Sequence, residues 1–522
     1  MPELSRSPRR WRRVVLGLAL IWLGWRLAVF YGPETPLKAS PALASSVPLE
    51  NGLVNYASLY NEKRSQGVTL ENNALVPLTR AIGASLLSEA LDAAFLKELG
   101  NAVGPAEAEA FVDWKVHSAE WLKADLARRS ESKPSDGEEE TAPPTPAQLD
   151  AELSSSLRTA WRPDESPCVQ AWLERNSGPL GQFEEAARRT KLFAPASEDP
   201  LTPLDSGAIR YERLIGLTKA FTSRAAQHVG RQDWVSALDD ARSLQQFGAV
   251  AGEPQTLTAV FVSLAAINRA TDVDQAILSS LPVPQEVLAR IRRERSAATL
   301  PDLESIVDET IRWSMLDLSQ RQALSAPRWS FPTLVGSYRV PPRAIDANAA
   351  RTEVDRIIDV CLEIQRRPQS FPDFKVQHGA FYGSLYGTSA WWDVVVPQYF
   401  VGTRRTIGLL AGRGLWITAA PPIEQMQGRI LETRTRVMFS DLGAAIAMFR
   451  QREGHFPKRL ADLDLQNPNE EPTDAFGGKI LFTSSDTEAR LASAGRDGRD
   501  DEGQGDDILT VVRYRDANGS EL

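Results

Sequence analysis

From residue 50 to about residue 430 the apolar residues of this chain recur every three or four positions and scarcely ever alternate; alternation begins only at residue 479. A period of three to four is that of one helix face, and a period of two is that of a half-buried strand. The pattern predicts a mainly α chain: a large all-α region at residues 50–430 and a small α+β unit at residues 431–522.

Within the helical region, Leu78, Ile82, Leu86, Ala90 and Ala94 lie four apart, which predicts a wide buried stripe over residues 74–99. Further helices are expected at 111–127, 169–176, 256–278, 285–295, 303–324 and 349–366, the second of these opened by Ser166 as cap and Pro167 in its first turn. Residues 209–229 and 234–246, joined by Gly230-Arg231-Gln232-Asp233, form a helical hairpin that resembles one tetratricopeptide-type unit through Ala237 and Ala241. No second copy follows at a fixed period, so the hairpin alone does not make an array. Residues 130–150 form an acidic, proline-rich stretch in which Pro143-Pro144-Thr145-Pro146 is read as excluding helix, which predicts a solvated, disordered insertion.

Ahead of this body, residues 1–13 hold five arginines and one glutamate, and residues 14–31 are apolar apart from Arg26. This reads as a basic cytoplasmic tail and an uncleaved single-pass transmembrane anchor, with Arg26 snorkelling outward. The nearest small-x-small cleavage site, Ala42-Leu43-Ala44, lies far beyond the apolar run. Residues 32–49 then form a Pro/Ala/Ser-rich linker, and the bulk of the chain is expected outside the cytoplasmic membrane.

The net charge is −9, and since the first thirteen residues carry +4 the remainder carries −13, which argues against a nucleic-acid partner. Two cysteines and four histidines exclude a thiolate metal cluster and disfavour a histidine-based metalloenzyme. Cys168 and Cys361 fit either two buried thiols or one bridge in an oxidising compartment. The chain has no Gly-x-Ser-x-Gly, no phosphate loop, no His-Glu-x-x-His and no Gly-x-Gly-x-x-Gly opening a helix, so no catalytic residue is assigned.

The C-terminal unit opens with a helix at 431–452 bearing Leu431, Met438, Leu442, Ala445 and Phe449 on one stripe, ended by Gly454 and Pro457. Three runs at 479–484, 489–494 and 508–514 predict a three-stranded antiparallel sheet. Between the last two, residues 497–507 contain six acids and three glycines. Such a loop can supply the carboxylate and carbonyl oxygens that a hard cation such as Ca²⁺ takes, or stand as a solvated acidic hairpin countered by Arg496 and Arg499. Its spacing is not that of an EF-hand, because Glu502 occupies the position that requires glycine.

The order Gly-x-Phe-Pro, Leu-x-x-Leu, Asp-x-Phe-Gly-Gly, Ser-x-Gly-x-Asp-Gly and Asp-Ile across residues 431–508 resembles the C-terminal domain of the type II secretion major pseudopilin. The resemblance implies a calcium site with Asp497 and Asp507 as side-chain ligands, the Ala494 carbonyl as a backbone ligand, and Asp501 or Asp506 as additions. The family's cleavage glycine with a glutamate five residues on has no counterpart, since Gly17 is followed at that distance by Trp22, so a filament subunit is not expected. The whole chain also resembles large envelope proteins of planctomycete-type bacteria, through Asn72-Asn73-Ala74, Trp161, Pro167 and Ala171-Trp172-Leu173, a family from which no activity carries over.

Residues 371–400 hold nine aromatics, of which Phe381, Tyr382, Tyr386, Trp391 and Trp392 form a candidate binding surface or part of the core. Glu304 and Asp308, four apart on one helix, are paired carboxylates for which Arg292 and Arg293 are expected partners. Together these features point to a membrane-anchored extracytoplasmic binding or scaffold protein of the cell envelope, with envelope or secretion-system proteins as partners. An enzyme acting on envelope polymers from a cleft in the helical region, and an accessory component of a type II secretion-like system, are the alternatives.

Overall fold

The structure, a computed structural model, describes residues 8–31, 49–50, 53–88, 91, 93–103, 110–131, 142–197, 209–253, 256–280, 282–324, 329–333, 336–340, 346–367, 370–386, 403–419, 422–463, 472–501 and 503–514. They are mainly helical, with a three-stranded antiparallel sheet near the C-terminus. In order the elements are α1 (Pro8–Tyr31), the short hairpin β1 (Leu49–Glu50) and β2 (Leu53–Val54), α2 (Tyr56–Arg64), α3 (Leu75–Ile82), α4 (Ala93–Val103), α5 (Trp114–Glu131), α6 (Pro146–Ser156), α7 (Pro167–Arg175) and α8 (Ser177–Ala187). Then come α9 (Glu212–Gly230), α10 (Trp234–Ala251), α11 (Leu257–Leu278), α12 (Gln285–Ser296), α13 (Arg312–Leu324), the hairpin β3 (Trp329–Thr333) and β4 (Gly336–Val340), α14 (Ala347–Arg366), α15 (Phe371–Tyr386), α16 (Arg404–Ala419) and α17 (Ile423–Glu453). The sheet is β5 (Leu481–Ser484), β6 (Glu488–Ser493) and β7 (Ile508–Arg513), in that order.

Two sequence expectations are corrected here. The stripe over residues 74–99 is not one helix, because Gly83 takes φ +86° and ends α3; Leu87 then bridges to Ile209 before α4 begins. The stretch expected to exclude helix instead starts α6. Thr145 and Gln148 form a capping box and Pro146 occupies the first turn, where a missing N–H costs nothing. Leu149 and Leu153 bury the inner face of α6, and Asp150 accepts the Trp114 indole N–H at 2.8 Å.

The helical hairpin holds: α9 and α10 turn at Gln232, with φ +59°, and Asp233 caps α10 through the Ser236 N–H. α11 packs beside α10, and α17 lies against both α11 and α12. Inside this stack Asp274 of α11 and Arg295 of α12 form an ion pair whose side chains are 0% and 1% exposed. Arg295 donates Nε to Asp274 Oδ2 at 2.5 Å and Nη2 to Oδ1 at 2.9 Å, and its Nη1 reaches Gln245 of α10. α14 and α16 cross so closely that a Cβ on Gly408 would stand 2.2 Å from the Asp346 carbonyl oxygen, and one on Gly412 2.4 Å from that of Ala350.

α17 runs 31 residues, about 46 Å, and ends as expected at Gly454 in the left-handed region. The sheet pairs Leu481 with Ala492 and Ser493 with Ile508. Ala489, Leu491 and Ser493 point inward alternately, as a half-buried strand requires. The β7 edge is not left open: the Gln275 amide of α11 donates to the Val511 carbonyl at 2.6 Å and accepts its N–H at 3.3 Å. One hydrophobic core runs from Val54 to Val512 through the helical body and the sheet.

Cys168 and Cys361 are free and buried, each thiol pushed up to about 12 by burial. α1 contains the expected anchor segment, but among the described residues no helix is long and apolar enough to cross a membrane.

Candidate functional site: the acidic loop and the α8–α10 cleft

The loop between β6 and β7 is built on a buried hub. Asp474, 5% exposed, accepts N–H groups from Phe476 at 3.0 Å and Gly478 at 2.7 Å, and the Ser493 hydroxyl donates to it at 2.5 Å. This ties the Asp-Ala-Phe-Gly-Gly turn to the end of β6. Arg496 leaves the loop for Glu432 of α17 at 2.8 Å, so it does not neutralise the loop carboxylates. Gly495 has φ +61° and lies under the Asp506 carbonyl, where a Cβ would meet the oxygen at 2.2 Å.

Two aspartates organise the loop backbone. Asp506 Oδ2 accepts from the N–H groups of Arg496 at 2.6 Å and Asp497 at 3.0 Å. Asp507 Oδ2 accepts from Asp501 at 2.7 Å and Gly503 at 2.9 Å, while its Oδ1 is buried without a hydrogen-bond partner. Of the five residues singled out from sequence, Asp497, Asp501 and Asp506 bring carboxylate oxygens within 4.8 Å of one another. Oxygens bound to one Ca²⁺ at 2.3–2.6 Å stand up to about 5 Å apart across the ion, so the three fit one cation. Asp507 instead points to the loop backbone, and the Ala494 carbonyl accepts the Gly498 N–H at 3.1 Å.

The candidate aromatic surface is less exposed than a platform. Phe381 and Tyr382 lie on α15, half-buried and packed against the core, with Tyr382 against His378 at 4.7 Å. The Tyr386 backbone closes α15, and Trp391 and Trp392 lie outside the described residues. Glu304 pairs with Arg366 at 2.7 Å and Asp308 with Arg312 at 2.9 Å; the expected partners are not used, and Arg292 reaches Asp441 at 3.0 Å. A wide helical turn at Ile306–Ile311 separates the two acids from an ordinary helix face.

Sequence reasoning misses a second cluster. A cleft of ≈ 580 Å³ between α8, α9 and α10 holds Glu184, Arg224, His228 and Asp240. Arg224 lies over the Phe221 ring and donates Nε and Nη2 to Asp240 at 3.0 and 2.6 Å, and Nη2 also to Glu184 at 2.6 Å. Burial pushes the Asp240 carboxyl up to about 7 despite the guanidinium, and burial with Arg224 holds His228 below its ordinary value. A carboxyl titrating near neutrality beside an imidazole can exchange protons, but both its oxygens are engaged by Arg224. These residues come from three helices, and no spacing in the sequence joins them.

No protein-family model, curated protein or solved structure matches the chain.

Proposed function

We propose that this chain is a membrane-attached extracytoplasmic binding or scaffold protein of the cell envelope, whose C-terminal α+β unit is stapled by Ca²⁺. The observation that carries the cation reading is the convergence of Asp497, Asp501 and Asp506 on a loop whose backbone Asp506 and Asp507 already fix. The choice of calcium comes from the resemblance to the pseudopilin C-terminal domain and from the all-oxygen donor set. Thermal unfolding of the full chain in Ca²⁺ and in chelator tests it. Calcium at a hundred times its dissociation constant is expected to add about 2.7 kcal/mol, and Asp497→Ala or Asp506→Ala to abolish the gain. Equal midpoints in calcium and chelator would sink the reading.

Membrane attachment is assigned to α1. Val15, Leu18, Ile21 and Leu27 are 49–71% exposed and lie around the helix, an arrangement that water disfavours and a lipid phase favours. The arginines of residues 1–13 would stand against anionic lipid headgroups. In fractionated bacterial cells the full chain is expected in the membrane pellet after a high-salt wash, and a chain lacking residues 1–31 in the supernatant. Full chain in the supernatant would refute the attachment.

The enzyme alternative has one observation in its favour, the convergence of Glu184 and Asp240 in the α8–α10 cleft. Because Arg224 bridges the two carboxylates, the arrangement favours a structural or binding role over acid–base chemistry.

A further inference from the structure

The cleft between α8, α9 and α10 holds more than the Arg224 bridge. Every side chain that lines its ≈ 580 Å³ is polar or charged, so its walls do not suit an apolar ligand. Its three carboxylates are already held by guanidinium groups: Asp240 and Glu184 by Arg224, and Asp239 by Arg290 at 2.5 Å. What the walls still offer is a set of donors.

Arg224 uses Nε and Nη2 on the two acids, and its Nη1 makes no bond among the described residues. The side chain is 20% exposed, and solvent reaches Nη1, which is neither bonded nor sealed in the interior. Arg188, at the end of α8, is exposed and stands 3.6 Å from Glu184 without a hydrogen bond to it. Arg242 on α10 is exposed and makes no ion pair or hydrogen bond among the described residues. Gln246, one turn further along α10, has its side-chain amide unbonded among them as well.

Guanidinium groups left over in a polar cleft select an anion. A carboxylate presents two oxygens in one plane and is filled by a single fork, as Asp240 is by Nε and Nη2 of Arg224. Here the spare donors stand on three elements, at the end of α8, on α9 and on α10. Donors on three sides suit the three free oxygens of a phosphate ester better than the two of a carboxylate. The cleft is also much larger than one phosphate, and the Gln246 amide can bond a hydroxyl of whatever the phosphate is attached to. We propose that the α8–α10 cleft binds a phosphate ester of a hydroxylated molecule, such as a sugar phosphate, with its phosphate on Arg188, Arg224 and Arg242. This names a ligand class and rests on the binding reading above. Its test is separate from that of the acidic loop, because it is run without calcium.

Glucose 6-phosphate is the probe, titrated by calorimetry into the full chain in chelator. Binding is expected, with glucose itself showing none. Arg242→Gln and Arg188→Gln are each expected to weaken the probe about tenfold, the loss of one charged hydrogen bond. Both side chains are exposed, so neither change disturbs the core. Arg213→Gln removes the same charge from an exposed position of α9 outside the cleft and is expected to leave the affinity unchanged. The arginines of residues 1–13 are common to all these proteins, so any binding they contribute cancels in the comparison. Inorganic phosphate and glucuronate complete the series, and both are expected to bind more weakly than the probe. Equal or tighter binding of inorganic phosphate would overturn the ester, and equal binding of glucuronate would overturn the choice of phosphate over carboxylate. No saturable binding of glucose 6-phosphate at millimolar concentration would overturn the proposal as a whole. So would an equal loss in Arg213→Gln and Arg242→Gln, which is what attraction to overall charge gives.

Discussion

Asp274→Ala is expected to lower the stability of the protein by about 3–5 kcal/mol, read as a shift in the urea midpoint. The reason is the partner left behind. Arg295 has a side chain 1% exposed, between α11, α12 and α10, and without Asp274 its guanidinium would keep only the Gln245 carbonyl oxygen inside a dry interior. Arg295→Met alone strands the carboxylate and is expected to cost a similar amount. Asp274→Leu with Arg295→Met removes both charges at once and is expected to recover most of the loss, because a buried pair stabilises little over apolar residues of similar volume. Non-additivity in this cycle is the decisive readout. A cost below about 1 kcal/mol for Asp274→Ala is what a solvated pair gives, and would mean that water reaches the pair.

That pair also shows what a sequence does and does not disclose. The helices that carry it follow from apolar period: α11 and α12 lie within two residues of the expected 256–278 and 285–295. The contact between Asp274 and Arg295 does not follow, because it depends on how α11 and α12 cross. The same division runs through the molecule. Gly454 and Pro457 mark the end of α17 through local backbone rules, and the sheet runs are read from alternation. Thr145-Pro146 misleads, because the residues that forbid a helix interior are also those that begin one. α16 escapes the periodic reading because Gly408 and Gly412 take positions where apolar side chains would be expected. They do so since backbone carbonyls of the preceding turn and of α14 lie where a Cβ would stand. In the acidic loop the composition indicates a concentration of oxygens, but which aspartates converge is set by hydrogen bonds. Asp507 turns to the N–H groups of Asp501 and Gly503, and Asp501 joins Asp497 and Asp506. The α8–α10 cleft is assembled from residues of three helices, beyond the reach of any local pattern.

Acidification is expected to separate the wild-type chain from His378→Phe. His378 is 4% exposed on α15, against the rings of Phe374 at 5.4 Å and Tyr382 at 4.7 Å, with Nε2 buried and unpartnered. Burial pulls its imidazole down to about 4, so the folded protein holds it neutral. Between pH 6.5 and about 4 the unfolded chain takes up a proton there that the folded chain refuses. The stability tied to this group is therefore fully present above pH 6.5 and lost as pH falls toward 4. At 1.36 kcal/mol per unit the loss reaches about 3 kcal/mol. The total profile hides this, because Asp240 acts in the opposite direction: its carboxyl, pushed up to about 7, gains a proton in the folded state first and adds stability as pH falls. Phenylalanine fills the same aromatic stack without a titratable group, and Asp240 is common to both proteins. The difference in stability between wild type and His378→Phe should thus change by about 3 kcal/mol from pH 6.5 to 4 in favour of the variant. A difference that stays flat across that window would show that solvent reaches the imidazole, and that burial does not set its protonation.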